Sequence, residues 1–337
     1  MPNTYSYPTN LELRQIERNL LPVLEENDPI FQIMPSRDVD SAFVAWEQED
    51  DFVGLQQVRG MNGKPGAVAS RGGKRFVLTP GVYGEYATVD EQQITERRGY
   101  GNFNQPIDVS DLVRGRQDQL LTRELNLRRY IGWKLLTAGT FSILRDGVAM
   151  HTDTFALTTY AGSAWSTPGS DTPLADFRGV KLLARGKSVN FGARAKAYMN
   201  STMVNRVLGN TNSSDLGGRR TGGGNTFNSL ADVNKILMDN DLPQIVEYDE
   251  GYLDDSGTFQ LFLPNNKVAI IGARTDGGRI AEYQMTRNAN NPNEAPGSYV
   301  KVVEEPNEVS SCIQVHRGHN GGPAIYYPSA IVIMTTT

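Results

Sequence analysis

Between Phe52 and Gly84 the chain holds no acidic residue, five positive charges (Arg59, Lys64, Arg71, Lys74 and Arg75) and eight glycines. Glycine at that density frees positive φ, weakens strands and leaves no apolar face for self-packing. The stretch Ser70-Arg71-Gly72-Gly73-Lys74-Arg75-Phe76-Val77-Leu78-Thr79-Pro80-Gly81 reads as a long hairpin. An arm of this kind gains its order from a surface on another molecule, and unpaired strand edges supply the means. Arg59, Lys64, Arg71, Gly72, Gly73, Lys74 and Arg75 are the candidate contact residues. The feature points to assembly, not chemistry.

The 337 residues, 39% of them hydrophobic, suffice for one large or two medium domains with a proper core. A net charge of −5 argues against coating nucleic acid, which needs a surplus of clustered Lys and Arg. A slightly acidic chain is still able to enclose DNA without adhering to it. The single Cys312 excludes an intrachain disulfide and fits folding in a reducing cytosol. Met1–Thr9 lacks the pattern of a secretory signal, and no apolar run is long enough to span a bilayer, so a soluble chain is expected.

Residues 1–51 carry eleven acids against Arg14, Arg18 and Arg37, and the sign then switches abruptly. Opposite charges in adjacent segments of one chain can pair between neighbouring copies, with Glu25–Asp51 as the expected acidic side. Leu11–Leu24 reads as an amphipathic helix that Pro22 shortens, and Pro29 and Pro35 bracket a non-helical stretch. Asp108–Ala138 is the strongest helix, with Leu127, Ile131 and Leu135 on its apolar stripe and Gly139 as its C-terminal cap. Arg114, Arg116, Asp118, Arg123, Glu124, Arg128 and Arg129 are assigned to the opposite, polar face. Strands are expected at Phe141–Leu144, Thr154–Thr159, Arg194–Met199, Gln244–Tyr248, Gly257–Pro264, Lys267–Gly272, Tyr299–Val303, Cys312–His316 and Ile331–Met334. Helices are expected from Thr172, over Met203–Leu208 and over Ser229–Asp239. Asn210–Asn225 and Arg287–Pro296 are read as loops.

Catalytic patterns are absent. Gly179 and Gly186-Lys187-Ser188 have the wrong spacing for a phosphate loop. Cys312, His316 and His319 lack a fourth ligand, so hydrogen bonding is the expected use of the histidines. Glu247, Asp249, Glu250, Asp254 and Asp255 form no twelve-residue calcium loop and read as a solvated turn. His151 has no triad context. No cofactor, metal or enzymatic activity is expected.

Several motifs, in their order along the chain, resemble the major capsid proteins of tailed bacteriophages, specifically the lambda-like capsid protein E family with the Hong Kong 97 phage shell fold. They are Ser70-Arg71-Gly72-Gly73 with Phe76-Val77-Leu78-Thr79-Pro80-Gly81, Leu135-Leu136-Thr137-Ala138-Gly139, Phe262-Leu263-Pro264-Asn265-Asn266 leading into Val268–Gly272, and Gly322-Pro323-Ala324-Ile325-Tyr326-Tyr327-Pro328. The resemblance runs from about residue 20 to the C-terminus. It implies an α+β fold with an N-terminal arm (1–55), an extended loop (56–100), a peripheral domain on a long spine helix (101–200), an axial domain (201–298) and return strands (299–337). It also implies an icosahedral shell of pentamers and hexamers enclosing double-stranded DNA without sequence-specific binding, in a virion capsid assembled in the host cytoplasm, with no membrane. A portal and a decoration or cement protein are implied partners. Too few residues precede the hairpin for a large cleavable scaffolding domain, so a separate scaffolding protein is expected. The competing readings are an encapsulin-like compartment shell and a soluble hydrolase using His151 or His316.

Overall fold

Residues 5–51, 54–67, 72–97, 106–166, 172–209, 229–254, 256–289, 296–304 and 312–336 are described by the computed structural model. They fall into two compact units: Met1–Ala45, Val77–Tyr130 and Glu282–Ala324 form the first, and Trp46–Phe76, Ile131–Ala281 and Ile325–Thr337 the second. These units cut across the sequence ranges expected for the peripheral and axial domains.

The first unit begins with a helix, Asn10–Glu26, started by a capping box in which Glu12 N–H donates to the Thr9 hydroxyl at 3.3 Å and Thr9 N–H to the Glu12 carboxylate at 2.8 Å. Pro22 does not shorten it. The cost of one lost backbone bond is offset by the turn that follows, where Glu25 is tied to the buried Arg128. The stretch after Pro29 is also helical: Pro29–Ile33 takes Pro29 in its first turn, and Asp28 caps it by accepting from Ile30 N–H at 3.0 Å.

A sheet runs in the order Tyr299–Glu304, Ile313–Ile325, Ala281–Met285, Ser36–Asp38, with Gly81–Val89 also paired to Ile313–Ile325. Gly81 lies opposite Gly321 and Val89 opposite Ile313. The expected hairpin return through Gly81 is therefore corrected, because Gly73–Leu78 pairs instead with Val44–Glu49. Pro80, which has no N–H to offer a ladder, separates two strands with different partners, and the second places Val89 and Ala87 against Val113, Ile313 and Val315. Gly84 and Gly318 face each other where the Tyr299 hydroxyl crosses, and a Cβ on Gly318 would meet that oxygen at 2.8 Å.

The long helix spans Ser110–Ala138, 29 residues or about 43 Å, and ends as expected at Gly139, whose φ is +72°. It does not bury a single stripe. Leu120, Leu121, Leu125, Ile131, Trp133, Leu135 and Leu136 are buried, but so are Gln117, Glu124 and Arg128. Glu124 accepts from Arg317 at 2.6 Å and lies 3.4 Å from His319, whose other ring nitrogen is 3.0 Å from the Tyr283 hydroxyl. Arg128 donates to Glu25 at 2.6 Å and sits 4.6 Å over the Phe31 ring, while Arg129 donates to Asp28 at 2.5 Å. The assignment of Glu124, Arg128 and Arg129 to a solvated face is thus corrected: the N-terminal segment and the strand Ile313–Ile325 bring opposite charges onto that face. Burial pushes the Glu124 carboxyl up, but Arg317, His319 and Arg128 outweigh it and hold it below the usual carboxylate range.

The second unit is built on a mixed sheet in the order Gln244–Glu247, Lys196–Met199, Lys267–Ile271, Ile331–Thr335, Thr158–Ala161. Its outer strands are parallel to their neighbours and its inner pairs antiparallel. Helices Pro173–Leu182, Ser201–Leu208 and Leu230–Asp239 cover it, packing Phe177, Met203, Val207, Val233 and Leu237 against Ala197, Val268, Ile270 and Val332. Asn200 and Ser229 cap the latter two. Asp176 is buried but satisfied, accepting from Ser163 N–H, the Ser163 hydroxyl and Trp165 Nε1 at 2.7–2.9 Å. The strand expected at Thr154–Thr159 divides into Val148–Thr154 and Thr158–Ala161, because the chain turns at Phe155, whose N–H bonds Gly139 C=O. The Asn210–Asn225 loop lies outside the described residues.

Replacing Ile131, which has no exposed surface, by Asp puts an unpaired charge into the core and should cost at least about 3 kcal/mol, giving insoluble or unfolded chains on expression. Arg128→Ala removes a charge-assisted bond from Glu25, which keeps the Ser36 hydroxyl, and should cost about 1.5–3 kcal/mol by denaturant unfolding. Because Glu124 is depressed in the folded chain, its contribution is complete above the unfolded value, around 4.3, and disappears as pH falls through the lower folded value. The gap in Tm between the natural chain and Glu124→Gln should therefore narrow steadily below about pH 4.5.

Candidate intersubunit surface

The strands Val44–Glu49 and Gly73–Leu78 carry the extended loop, and its base is anchored within the second unit. Trp46 is buried, stacks on Phe76 with ring centroids 5.3 Å apart and lies 5.7 Å from Phe155. Asp50 N–H donates to Gly72 C=O at 3.0 Å, the last rung before the strands separate. The Asp51 carboxylate then accepts from Ser188 N–H at 2.9 Å and from the Tyr327 hydroxyl. Burial, with the Asp51 bond second, pushes the Tyr327 phenol up to about 12.

Beyond this anchor every described side chain is exposed. A tight turn forms at Gly60–Gly63, where Gly63 N–H donates to Gly60 C=O at 2.9 Å and the Arg59 guanidinium donates to Gly63 C=O at 3.4 Å. Lys64 follows directly. Gly72 and Gly73 stand at the mouth of the loop, where a Cβ on Gly73 would lie 3.3 Å from Gln48 C=O. Lys74 and Arg75 project from the returning strand, both exposed. The fold thus groups Gly72, Gly73, Lys74 and Arg75 on one strand and sets Arg59 and Lys64 at the turn; Arg71 lies outside the described residues.

Charge was legible in the sequence, but three apolar residues of the same loop were not. Leu55, Val58 and Met61 are 96%, 99% and 101% exposed, so they touch nothing in their own chain. Their spacing of three in a segment without helical capping was the available signal.

Four of the nine acids expected to receive this loop are committed within their own chain. Glu25 and Asp28 pair with Arg128 and Arg129, Asp40 with Arg287, and Asp51 holds Ser188 and Tyr327. The other candidate chemistry dissolves into structure. His316 hydrogen-bonds Gln314 at 3.0 Å and stacks on Tyr86, His319 belongs to the Glu124 cluster, and His151 sits 2.8 Å from Asp153 beside Phe141. Gly179 lies inside the helix Pro173–Leu182 and not in a phosphate loop. Among the described residues no three His, Cys, Asp or Glu side chains converge as metal ligands, and no helix is long and apolar enough to cross a membrane.

Comparison with known proteins agrees with this architecture. The profile of the phage major capsid protein E family matches residues 30–335. The fold is similar to a protein described as a prophage capsid protein of E. coli CFT073, at 16% identity and a TM-score of 0.52, covering 79% of this chain and 80% of that one. It is also similar to a phage-related protein of Bordetella bronchiseptica RB50, at 10% identity and a TM-score of 0.52, covering 94% and 96%. No curated protein sequence matches the chain. The described chain has a mixed helix-and-sheet fold of the Hong Kong 97 phage type with an anchored, outward-facing loop, and it belongs to the phage major capsid protein E family, whose members are the structural subunits of icosahedral tailed-phage capsids.

Proposed function

We propose that copies of this chain assemble through the extended loop Gly54–Ala67 and the strand Gly73–Leu78, each loop ordered by a neighbouring subunit, into pentamers and hexamers of a shell that encloses double-stranded DNA. The observation that carries this reading is the complete exposure of Leu55, Val58 and Met61 on a loop whose base is rigidly anchored. Burying a large apolar side chain is worth about 1.5–3 kcal/mol, so three left in water by the free subunit are a sizeable reserve for association. Arg59, Lys64, Lys74 and Arg75 add steering toward an acidic surface, and Arg71 belongs to the same basic run.

Within that shell residues 101–200 and the return strands 299–337 take the peripheral role and residues 201–298 the axial one. A separate scaffolding protein, a portal and a decoration or cement protein complete the assembly, which takes place in the host cytoplasm. The net charge of −5 fits an enclosing wall that does not grip its DNA. The chain acts by structure and performs no catalysis. No feature favours the encapsulin-like compartment over this reading.

Electron microscopy of the purified protein should show closed shells. Amides of Gly54–Ala67 should exchange quickly in free subunits and be protected in shells; equal exchange in both states would remove the basis of the proposal. The double reversal Lys64→Glu with Lys74→Glu should slow assembly, followed by light scattering, and should flatten its dependence on salt, with the subunit Tm unchanged.

A further inference from the structure

We infer that the seat of the extended loop is the acidic two-stranded ribbon Gly251–Leu253 with Phe259–Leu261 on a second copy of this chain, an inference that rests on the intersubunit role proposed for the loop. In this antiparallel ribbon Leu253 stands opposite Phe259 and Gly251 opposite Leu261. The two-residue alternation of strands therefore puts Leu253, Phe259 and Leu261 on one face. All three are exposed, at 67%, 56% and 37%. The absence of a side chain at Gly251 lets the Phe259 ring lie flat over it, since a Cβ there would meet the ring at 2.6 Å. The result is a smooth apolar surface.

The ribbon is shaped before any partner arrives. Asp254 accepts from Ser256 N–H at 3.0 Å and Thr258 N–H at 2.9 Å, closing the turn, and Tyr252 on the opposite face stacks on the buried Phe262 at 5.5 Å. A pre-formed apolar face is cheap to dock on, and on a narrow ribbon in water it needs cover.

Charge selects the occupant. From Ile236 to Asn266 the chain has seven acids (Asp239, Asp241, Glu247, Asp249, Glu250, Asp254 and Asp255) and no Lys or Arg. Glu247, Asp249 and Glu250 are exposed beside the ribbon. Phe52–Gly84 has the inverse composition, five bases and no acid, and carries the exposed Leu55, Val58 and Met61. Each segment is apolar with a rim of one sign, and the signs are opposite. Loop side chains that touch nothing in their own chain cannot be sitting on their own ribbon, so the contact joins two copies. One copy uses its loop and the next its ribbon, a head-to-tail contact of the kind that closes into rings.

The competing receptor is the exposed stripe Leu20, Val23 and Leu24 on the helix Asn10–Glu26. Cysteine pairing separates the two. In a Cys312→Ser background, full-length Met61→Cys chains are co-assembled with Leu253→Cys chains, oxidised mildly and run on a non-reducing denaturing gel. A covalent dimer should appear in the mixture and in neither chain alone, and Met61→Cys mixed with Leu24→Cys should give none. A dimer only in the Leu24→Cys mixture would overturn the ribbon as seat while keeping the loop between subunits. No dimer in either mixture, with the loop protected in shells, would overturn the ribbon in the same way; with the loop unprotected, the intersubunit role of the loop fails as well. Independently, Leu253→Asp with Phe259→Asp should keep the subunit Tm and abolish shell formation, and normal shells from that variant would also overturn the inference.

Discussion

A helix that is denied a solvent face over its second half sets the terms for the rest of the molecule. From Leu120 to Thr137 the buried positions of Ser110–Ala138 include aliphatics, Trp133 and two charges, Glu124 and Arg128. A charge in that position is costly unless something of opposite sign is brought to it. Arg317 and His319 come from the strand Ile313–Ile325, and Glu25 comes from the N-terminal helix. Two distant parts of the sequence are therefore committed to one helix by electrostatics as well as by apolar packing, and a misplaced strand or arm would leave a buried ion alone. The penalty falls on wrong arrangements more heavily than the pairs reward the right one.

That arrangement also explains why the acidic N-terminal segment is not a free arm in the isolated subunit. Thr9 and Glu12 start its helix, Leu13 enters the core with Val113 and Ile313, and Ser36–Asp38 adds a parallel strand beside Ala281–Met285. Three of its eleven acids, Glu25, Asp28 and Asp40, pair with Arg128, Arg129 and Arg287. The opposite signs of residues 1–51 and 52–84 suggest pairing between copies, and these three acids are already engaged within their own chain. The base-free stretch Ile236–Asn266 is a second concentration of negative charge in the chain.

Local periodicity made much of the fold legible. The long helix with its Gly139 cap, the proline-started helix after Thr172 and the strands at Lys196–Met199, Lys267–Ile271 and Ile331–Thr335 stood close to where propensity and turn residues put them. What stayed hidden depended on partners remote in sequence. Glu124, Arg128 and Arg129 look like a solvated stripe until Arg317, Glu25 and Asp28 are set beside them. The strand Ala281-Glu282-Tyr283-Gln284-Met285 is not among the expected strands, yet all five residues are buried, and Gln284 ties its amide to both Ala45 backbone groups and to Glu282. The extended loop is legible in the sequence but the partner of its returning strand is not, since glycine-rich sequence carries little register information. Its basic residues were legible from composition; the apolar Leu55, Val58 and Met61 were not, because exposure is a property of where the loop ends up.

A shell subunit has to be soluble alone and cohesive in company, and the separation of anchored base from free tip reconciles the two. Trp46, Phe76, Asp51 and Tyr327 fix the direction in which the loop leaves the second unit, so little orientational freedom remains to be lost on docking. Ordering each residue of a flexible tip would cost about 1–2 kcal/mol of backbone entropy. Three apolar side chains yield about 1.5–3 kcal/mol each, so only a tip that is largely ordered before docking leaves a net gain. A single contact is then weak enough to break and re-form, while a subunit held on two sides within a ring gains from both contacts without paying full association entropy twice. In the proposed assembly, glycine in the loop, a defect for strand stability, keeps each contact weak and reversible.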